Sequence, residues 1–162
     1  SSSFLFTLSA QDDHGSATAI EEMIAEESRQ GLHQLETYRN FAQHAKQMTS
    51  ELVDIINVLH SEGKKVIGYG AAAKGNTLLN YGNIDLQYIV DDNPLKCGLM
   101  TPGGNIPIDN PELLYQETGP VAILVLAWNF FVDIRERVME HRGTTNDWWI
   151  EYFPAVKVSR TR

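Results

Sequence analysis

Val66-Ile67-Gly68-Tyr69-Gly70-Ala71-Ala72-Ala73-Lys74-Gly75-Asn76-Thr77 decides the fold. Its apolar opening, Val66 to Tyr69, reads as a buried strand, and Asn76 to Tyr81 reads as a short helix. Between them Gly68, Gly70 and Ala73 keep the G-x-G-x-x-G/A spacing of a dinucleotide-type strand–turn–helix. Residues without bulk let the backbone approach a pyrophosphate, and the free N–H groups of a helix start point at its oxygens. Lys74 adds a positive charge beside that start, and Asn76 and Thr77 offer side-chain donors. The same small residues also suit a turn whose only task is to seat a helix on a sheet.

Downstream, Leu86 to Val90 is a second strand ending in Asp91-Asp92. Asp91 stands where dinucleotide folds carry the acid that holds a ribose hydroxyl. A stretch rich in turn residues runs from Asn93 to Asn105. Ile106-Pro107-Ile108 makes a minor strand, and Asn110-Pro111-Glu112 has the cap and first-turn proline of a helix. Val121 to Leu126 is continuously apolar, as a central parallel strand should be. Phe130 to His141 follows as a helix and Trp148 to Tyr152 as the last strand. Strands alternating with helices predict an α/β fold, a Rossmann-like parallel sheet with flanking helices and right-handed crossovers. Ligands of such sheets lie beyond the carboxyl ends of the strands. The glycine-rich turn, the segment Asp92-Asn93-Pro94-Leu95-Lys96 and the pair Trp128-Asn129 are therefore expected to face one crevice. Trp128 could stack on a base or sugar there, and Asn129 could hydrogen-bond it.

Upstream the pattern is helical. Phe4 to Leu8 reads as a short strand before the polar break Gln11 to Ser16. Ser16 or Thr18 can cap a helix reaching about Gln30, with Glu21 and Glu22 in its first turn. Gly31 breaks it. A longer helix then carries one apolar stripe from Leu32, Leu35, Tyr38 and Phe41 through Met48, Leu52, Ile55, Ile56 and Leu59, and Gly63 closes it. The stripe is expected to pack as core. This divides the chain into a strand and helical arm, residues 1–62, and a Rossmann-like domain, residues 63–158.

Composition narrows the function classes. The chain of 162 residues carries a net charge of −8, with no surplus of Lys and Arg to neutralise a nucleic-acid backbone. Residues 1–62 hold ten acids and three bases, while residues 63–162 hold eleven acids and ten bases. An anionic ligand is better received by the second part. No apolar run is long enough to span a membrane, and one cysteine, Cys97, excludes an internal disulfide and a multi-cysteine zinc site. A cytoplasmic protein without membrane or nucleic-acid partners is expected. His33, His44 and His60 fall on helices, and His14 and His141 near segment ends. No general base, nucleophile or metal set assembles from these residues.

The motifs also look familiar. The run from Gly68 to Tyr81, with Asp92-Asn93-Pro94-Leu95-Lys96, Thr101-Pro102-Gly103, Ile106-Pro107-Ile108 and Leu126-Ala127-Trp128-Asn129, resembles the C-terminal domain of the S-adenosylmethionine-dependent sugar C-methyltransferases. Glu27, Gly31-Leu32, Tyr38 and Phe41 fit the helical segment that precedes that domain. The resemblance implies a larger enzyme that methylates a carbon of a deoxy-keto-sugar. Its N-terminal part would bind zinc, its middle part the methyl donor, and this part the nucleotide diphosphate sugar. The cysteine cluster and the donor-binding Glu/Asp-x-Gly-x-Gly turn are absent from this sequence. Gly104-Asn105 and Gly82-Asn83 stand where the family often has a polar residue with His, and Cys-Gly.

The resulting expectation is a substrate-binding domain with no catalytic or metal-ligating residue, which binds no cofactor itself and is inactive alone. S-adenosylmethionine belongs to the full-length family. Gly70, Ala71, Lys74, Gly75, Asn76 and Thr77 would hold phosphate, Asp92, Asn93 and Lys96 would line the crevice, and Trp128 with Asn129 would hold base or sugar. The alternatives are an NAD-binding oxidoreductase domain, supported by the fingerprint and Asp91, and a ligand-free interaction module using the acidic arm.

Overall fold

The computed structural model describes residues 17–143 and 146–161. The strand expected at Phe4 to Leu8 lies outside the described residues. Two compact units are present, one up to His44 and one from Ala45 onward, so the break falls inside a helix.

In the first unit helix α1 spans Ala17–Arg29. Its first turn contains no acid, because the helix begins early enough to leave Glu21 and Glu22 beyond it. Gly31 ends it at φ +71°, a conformation that favours glycine, and the Leu32 amide reaches back to the Glu27 carbonyl at 3.0 Å. His33 lies in this turn rather than on a helix. Helix α2 spans Leu35–Ser61, and its stripe has two fates. Leu35, Tyr38 and Phe41 are exposed, whereas Leu52, Ile56 and Leu59 are buried in the second unit's core. Periodicity alone marks where an apolar face could pack; burial along α2 starts only at Thr49.

The second unit is built on a six-stranded sheet in the order β3-β2-β1-β4-β5-β6. Its strands are β1 (Val66–Tyr69), β2 (Ile89–Val90), β3 (Ile108–Asp109), β4 (Ala122–Val125), β5 (Trp148–Glu151) and β6 (Lys157–Arg160). The first five run parallel, and β6 pairs antiparallel to β5. Helices α3 (Ala73–Gly82), α4 (Pro111–Tyr115) and α5 (Phe131–Arg142) complete it. The expected Rossmann-like α/β architecture is therefore present. Strand β2 is shorter than the run Leu86 to Val90 suggested. Next to it Pro107 has no N–H to donate, and the β2–β3 pairing registers only at Ile89 with Ile108 and Val90 with Asp109. Strand β6 was not anticipated from the sequence, and β5 is not the last strand.

Strand side chains alternate between two cores. Val66, Leu124 and Leu126 join Leu52, Ile56 and Leu79 on one face. Ile67, Tyr69, Ile123 and Val125 join Leu114, Ile134 and Trp149 on the other. At the lower end of the sheet, buried Arg142 ties the layers together: its guanidinium donates to the Leu114, Glu117 and Gly119 carbonyls and pairs with Asp147 at 2.9 Å. Strand order reverses between β1 and β4, and this switch point is where open sheets leave room for a ligand.

Candidate functional site

The turn after β1 is shaped by packing as well as by its amides. A Cβ on Gly68 would meet Ile89 at 2.8 Å, and one on Gly75 would meet the Leu126 Cβ at 2.8 Å. Gly70 sits at φ +92°, and a Cβ there would lie 2.7 Å from the Ala127 Cβ. Small residues are thus needed by the fold itself, whatever the turn binds. Its first three amides are already engaged. Gly70 donates to the Val90 carbonyl at 2.7 Å, Ala71 to Asp91 Oδ2 at 2.7 Å, and Ala72 to the Gly70 carbonyl at 2.8 Å. Helix α3 begins at Ala73, three residues before the expected start, so Ala73, Lys74 and Gly75 form its first turn. Their N–H groups have no carbonyl four residues back within the helix, and the first partnered amide is Asn76, to Ala72. Among the described residues these three amides have no hydrogen-bond acceptor.

Asp91 departs from the ribose-binding role its position suggested. It is 8% exposed, and its carboxylate accepts from the Ala71 amide, the Asn93 amide at 2.9 Å and Lys96 Nζ at 2.8 Å. Lys96 also donates to the Ala71 carbonyl at 3.0 Å. Both side chains brace the glycine-rich turn against the loop after β2. Asn93 makes a local turn in the same loop, its Oδ1 accepting the Leu95 amide.

Two clefts border this turn. On the α3 side a cleft of about 450 Å³ is bounded by Ala71 to Ala73, Asn76, Thr77, Leu79, Pro102 and Leu126. Its side chains are uncharged. Asn76 Oδ1 is buried without a partner, and the Thr77 hydroxyl donates to the Ala73 carbonyl at 3.1 Å. On the α5 side a cleft of about 330 Å³ is bounded by Tyr69, Gly70, Asp92, Phe130, Asp133 and Arg137. Here Asp92 accepts from the Tyr69 hydroxyl at 3.0 Å and pairs with Arg137 at 3.1 Å. The guanidinium lies 5.9 Å from the Tyr69 ring centre, close enough for a cation–π contact. Burial first, and then the hydrogen bond to Asp92, push the Tyr69 phenol well above its ordinary pKa, so it remains a neutral donor.

The residues singled out from the sequence are therefore divided rather than gathered in one crevice. Gly70 and Asp92 border the α5-side cleft; Ala71, Asn76 and Thr77 border the α3-side cleft; Asn93 and Lys96 sit in the bracing loop. Lys74 is exposed at the helix start, its Nζ 6.0 Å from the Trp128 ring centre. Trp128 is half-buried against Phe153, with ring centres 4.5 Å apart, and Asn129 is exposed in the short 3₁₀ turn Trp128–Phe130. Sequence reasoning overlooked Tyr69, Asp133 and Arg137. Tyr69 ends β1, and Asp133 and Arg137 lie one turn apart on the helix after β4, so the carboxyl-end rule could have reached them. Among the described residues no three His, Cys, Asp or Glu side chains are grouped to hold a metal ion, and no helix is long and apolar enough to cross a membrane.

The family described as C-methyltransferase C-terminal domain matches residues 2–154. The C-methyltransferase NovU of Streptomyces niveus is 35% identical over 147 residues, a region covering 86% of this chain and 34% of that protein. The chain thus spans about a third of its relative's length.

Proposed function

Because this chain belongs to the C-methyltransferase C-terminal domain family, we propose that it is the nucleotide-sugar-binding part of a sugar C-methyltransferase and grips the ligand's diphosphate at the start of α3. One observation carries this reading. Three consecutive amides, those of Ala73, Lys74 and Gly75, open a ten-residue helix with no acceptor among the described residues, and the Lys74 ammonium stands on the same turn. Unsatisfied donors and the positive end of the helix dipole favour an anion at that point, and a diphosphate is the anionic part of a nucleotide-linked sugar. Trp128, near Lys74, supplies an aromatic face. Gly70 and Ala71 support the turn from beneath, since their own amides are engaged.

On this reading S-adenosylmethionine and zinc are held by the larger part of the parent enzyme, with which this domain cooperates in a cytoplasmic reaction on a deoxy-keto-sugar. No residue here is assigned a step in methyl transfer, and the chain alone is inactive as a methyltransferase. Titration calorimetry with UDP-glucose and TDP-glucose tests the anion site. Lys74→Ala should weaken binding by roughly tenfold, about 1.5 kcal/mol, the low end for a charge-assisted contact because Lys74 is exposed. Lys157→Ala, on the edge strand β6, should leave affinity unchanged. Equal affinities for the native chain and Lys74→Ala would remove Lys74 from the site.

A further inference from the structure

We infer that the α5-side cleft takes the hydroxylated sugar ring of the ligand while the α3-side cleft takes its base. This rests on the diphosphate reading above and extends it. A diphosphate joins two halves of unlike chemistry, and the turn proposed to hold it has a cleft on either side. One borders Gly70 and the other Ala71 to Ala73.

Side-chain chemistry decides which half goes where. The α3-side cleft is larger, about 450 Å³, and its walls combine Leu79, Pro102 and Leu126 with uncharged polar groups. That suits a flat group with apolar faces and few polar edges. The α5-side cleft, about 330 Å³, offers the Asp92 and Asp133 carboxylates, the Arg137 guanidinium and an exposed aromatic ring, Phe130. Carboxylates accept from hydroxyls and guanidinium donates to ring or carbonyl oxygens in charge-assisted bonds, while an aromatic face covers a sugar's C–H surface. Arg137 balances Asp92, but Asp133 adds a further carboxylate, which disfavours the anionic link in this cleft relative to the start of α3. A cation is a poor fit, because Asp91 is paired with Lys96 and Asp92 with Arg137, and no metal-ligand group forms among the described residues. Asp133 has no ion pair among the described residues and stays available to an incoming hydroxyl.

Calorimetry on the 162-residue chain separates the two halves. UDP, TDP and GDP would each be compared with UDP-glucose, TDP-glucose and GDP-mannose, for the native chain and Asp133→Asn. The sugar-bearing ligand of the pair that binds should lose about fivefold in affinity on Asp133→Asn, while its parent diphosphate changes by less than about twofold. Amide chemical shifts give a second readout. Parent diphosphate should move Ala73, Lys74 and Gly75, and attaching the sugar should add Phe130, Asp133 and Ile134. Equal effects of Asp133→Asn on both ligands, or sugar-induced shifts at Leu79 and Thr101 instead, would overturn the assignment and leave the diphosphate reading standing. Failure of every diphosphate to bind would overturn both.

Discussion

Gly70 shows how the fold alone can demand a glycine at the edge of a candidate site. Its φ of +92° is a conformation that side chains other than glycine's resist, and the room a Cβ would need is occupied by Ala127. The pairing matters because Ala127 follows β4, so the close approach locks the turn after β1 to the neighbouring strand's exit. Gly70→Ala should therefore lower stability by about 2–4 kcal/mol, combining backbone strain with overpacking. Gly63 is the fitting control: its φ is +72°, but nothing lies within 4 Å of an added Cβ. Gly63→Ala should lose only about 1–2 kcal/mol, the strain alone. Urea midpoints of the two variants would decide, and equal losses would refute the proposed crowding at Ala127. The sequence spacing of Gly68, Gly70 and Ala73 announced a turn of this kind, but not which amides stay open. Asp91, which takes the Ala71 amide, is 20 residues away, and nothing local in the sequence foretells that bond.

At the level of elements, legibility followed the strength of the local pattern. Strand β4 could be read from an unbroken apolar run, and helix α5 falls within one residue of its expected bounds at each end, whereas β6 could not be read. Its four residues, Lys157 to Arg160, are all exposed, and what fixes them is pairing with β5 and the bond from Trp149 Nε1 to Thr161 at 2.8 Å. Edge strands carry polar residues that weaken any strand signal. The loop after β2 is similar, since its function as a brace depends on Asp91 reaching back to the turn after β1. Removing that carboxylate should unlock two elements at once. Asp91→Ala frees the Ala71 and Asn93 amides and leaves the half-buried Lys96 without its counter-charge, with only the Ala71 carbonyl to donate to, so a loss of about 2 kcal/mol is expected, tempered by Lys96's access to solvent. Hydrogen exchange gives the sharper test. The Ala71 and Asn93 amides should exchange much faster in Asp91→Ala, while β4 amides keep their protection relative to global stability. Unchanged exchange at Ala71 would mean the brace does not hold the turn.

Across the whole molecule, the two faces of the sheet share one vulnerability, namely tyrosines buried with their hydroxyls protonated. Tyr69 and Tyr88 belong to the core on the α4 and α5 side, and Tyr152 belongs to the opposite core. Burial raises all three pKa values, reinforced by Asp92 beside Tyr69 and Glu117 beside Tyr88, and Tyr152 is pushed up to about 12. Tyr115 is shifted upward as well, again by burial first. In the unfolded chain each phenol returns to its ordinary value of 10.0 and ionises sooner than in the folded one. The folded state then binds more protons, so stability is fully present below about pH 10 and is lost as pH rises from there through the folded values. Each tyrosine adds a slope of about 1.4 kcal/mol per pH unit in that window. Denaturant midpoints should therefore be level between about pH 8 and pH 10 and fall steeply by pH 11. Tyr152→Phe should soften that fall, although losing the bond to the Leu126 carbonyl makes it slightly less stable at pH 8. A midpoint that stays constant up to pH 11 would contradict the burial of these phenols. The loss should also be spread over both layers, because Tyr69 and Tyr152 anchor the sheet's opposite faces at the carboxyl ends of its strands, where Tyr69 closes β1 and Tyr152 bonds to Leu126 just past β4. Ligand affinity and global stability should accordingly fail in the same pH interval, and binding that persisted after the midpoint had dropped would separate the site from the cores beneath it.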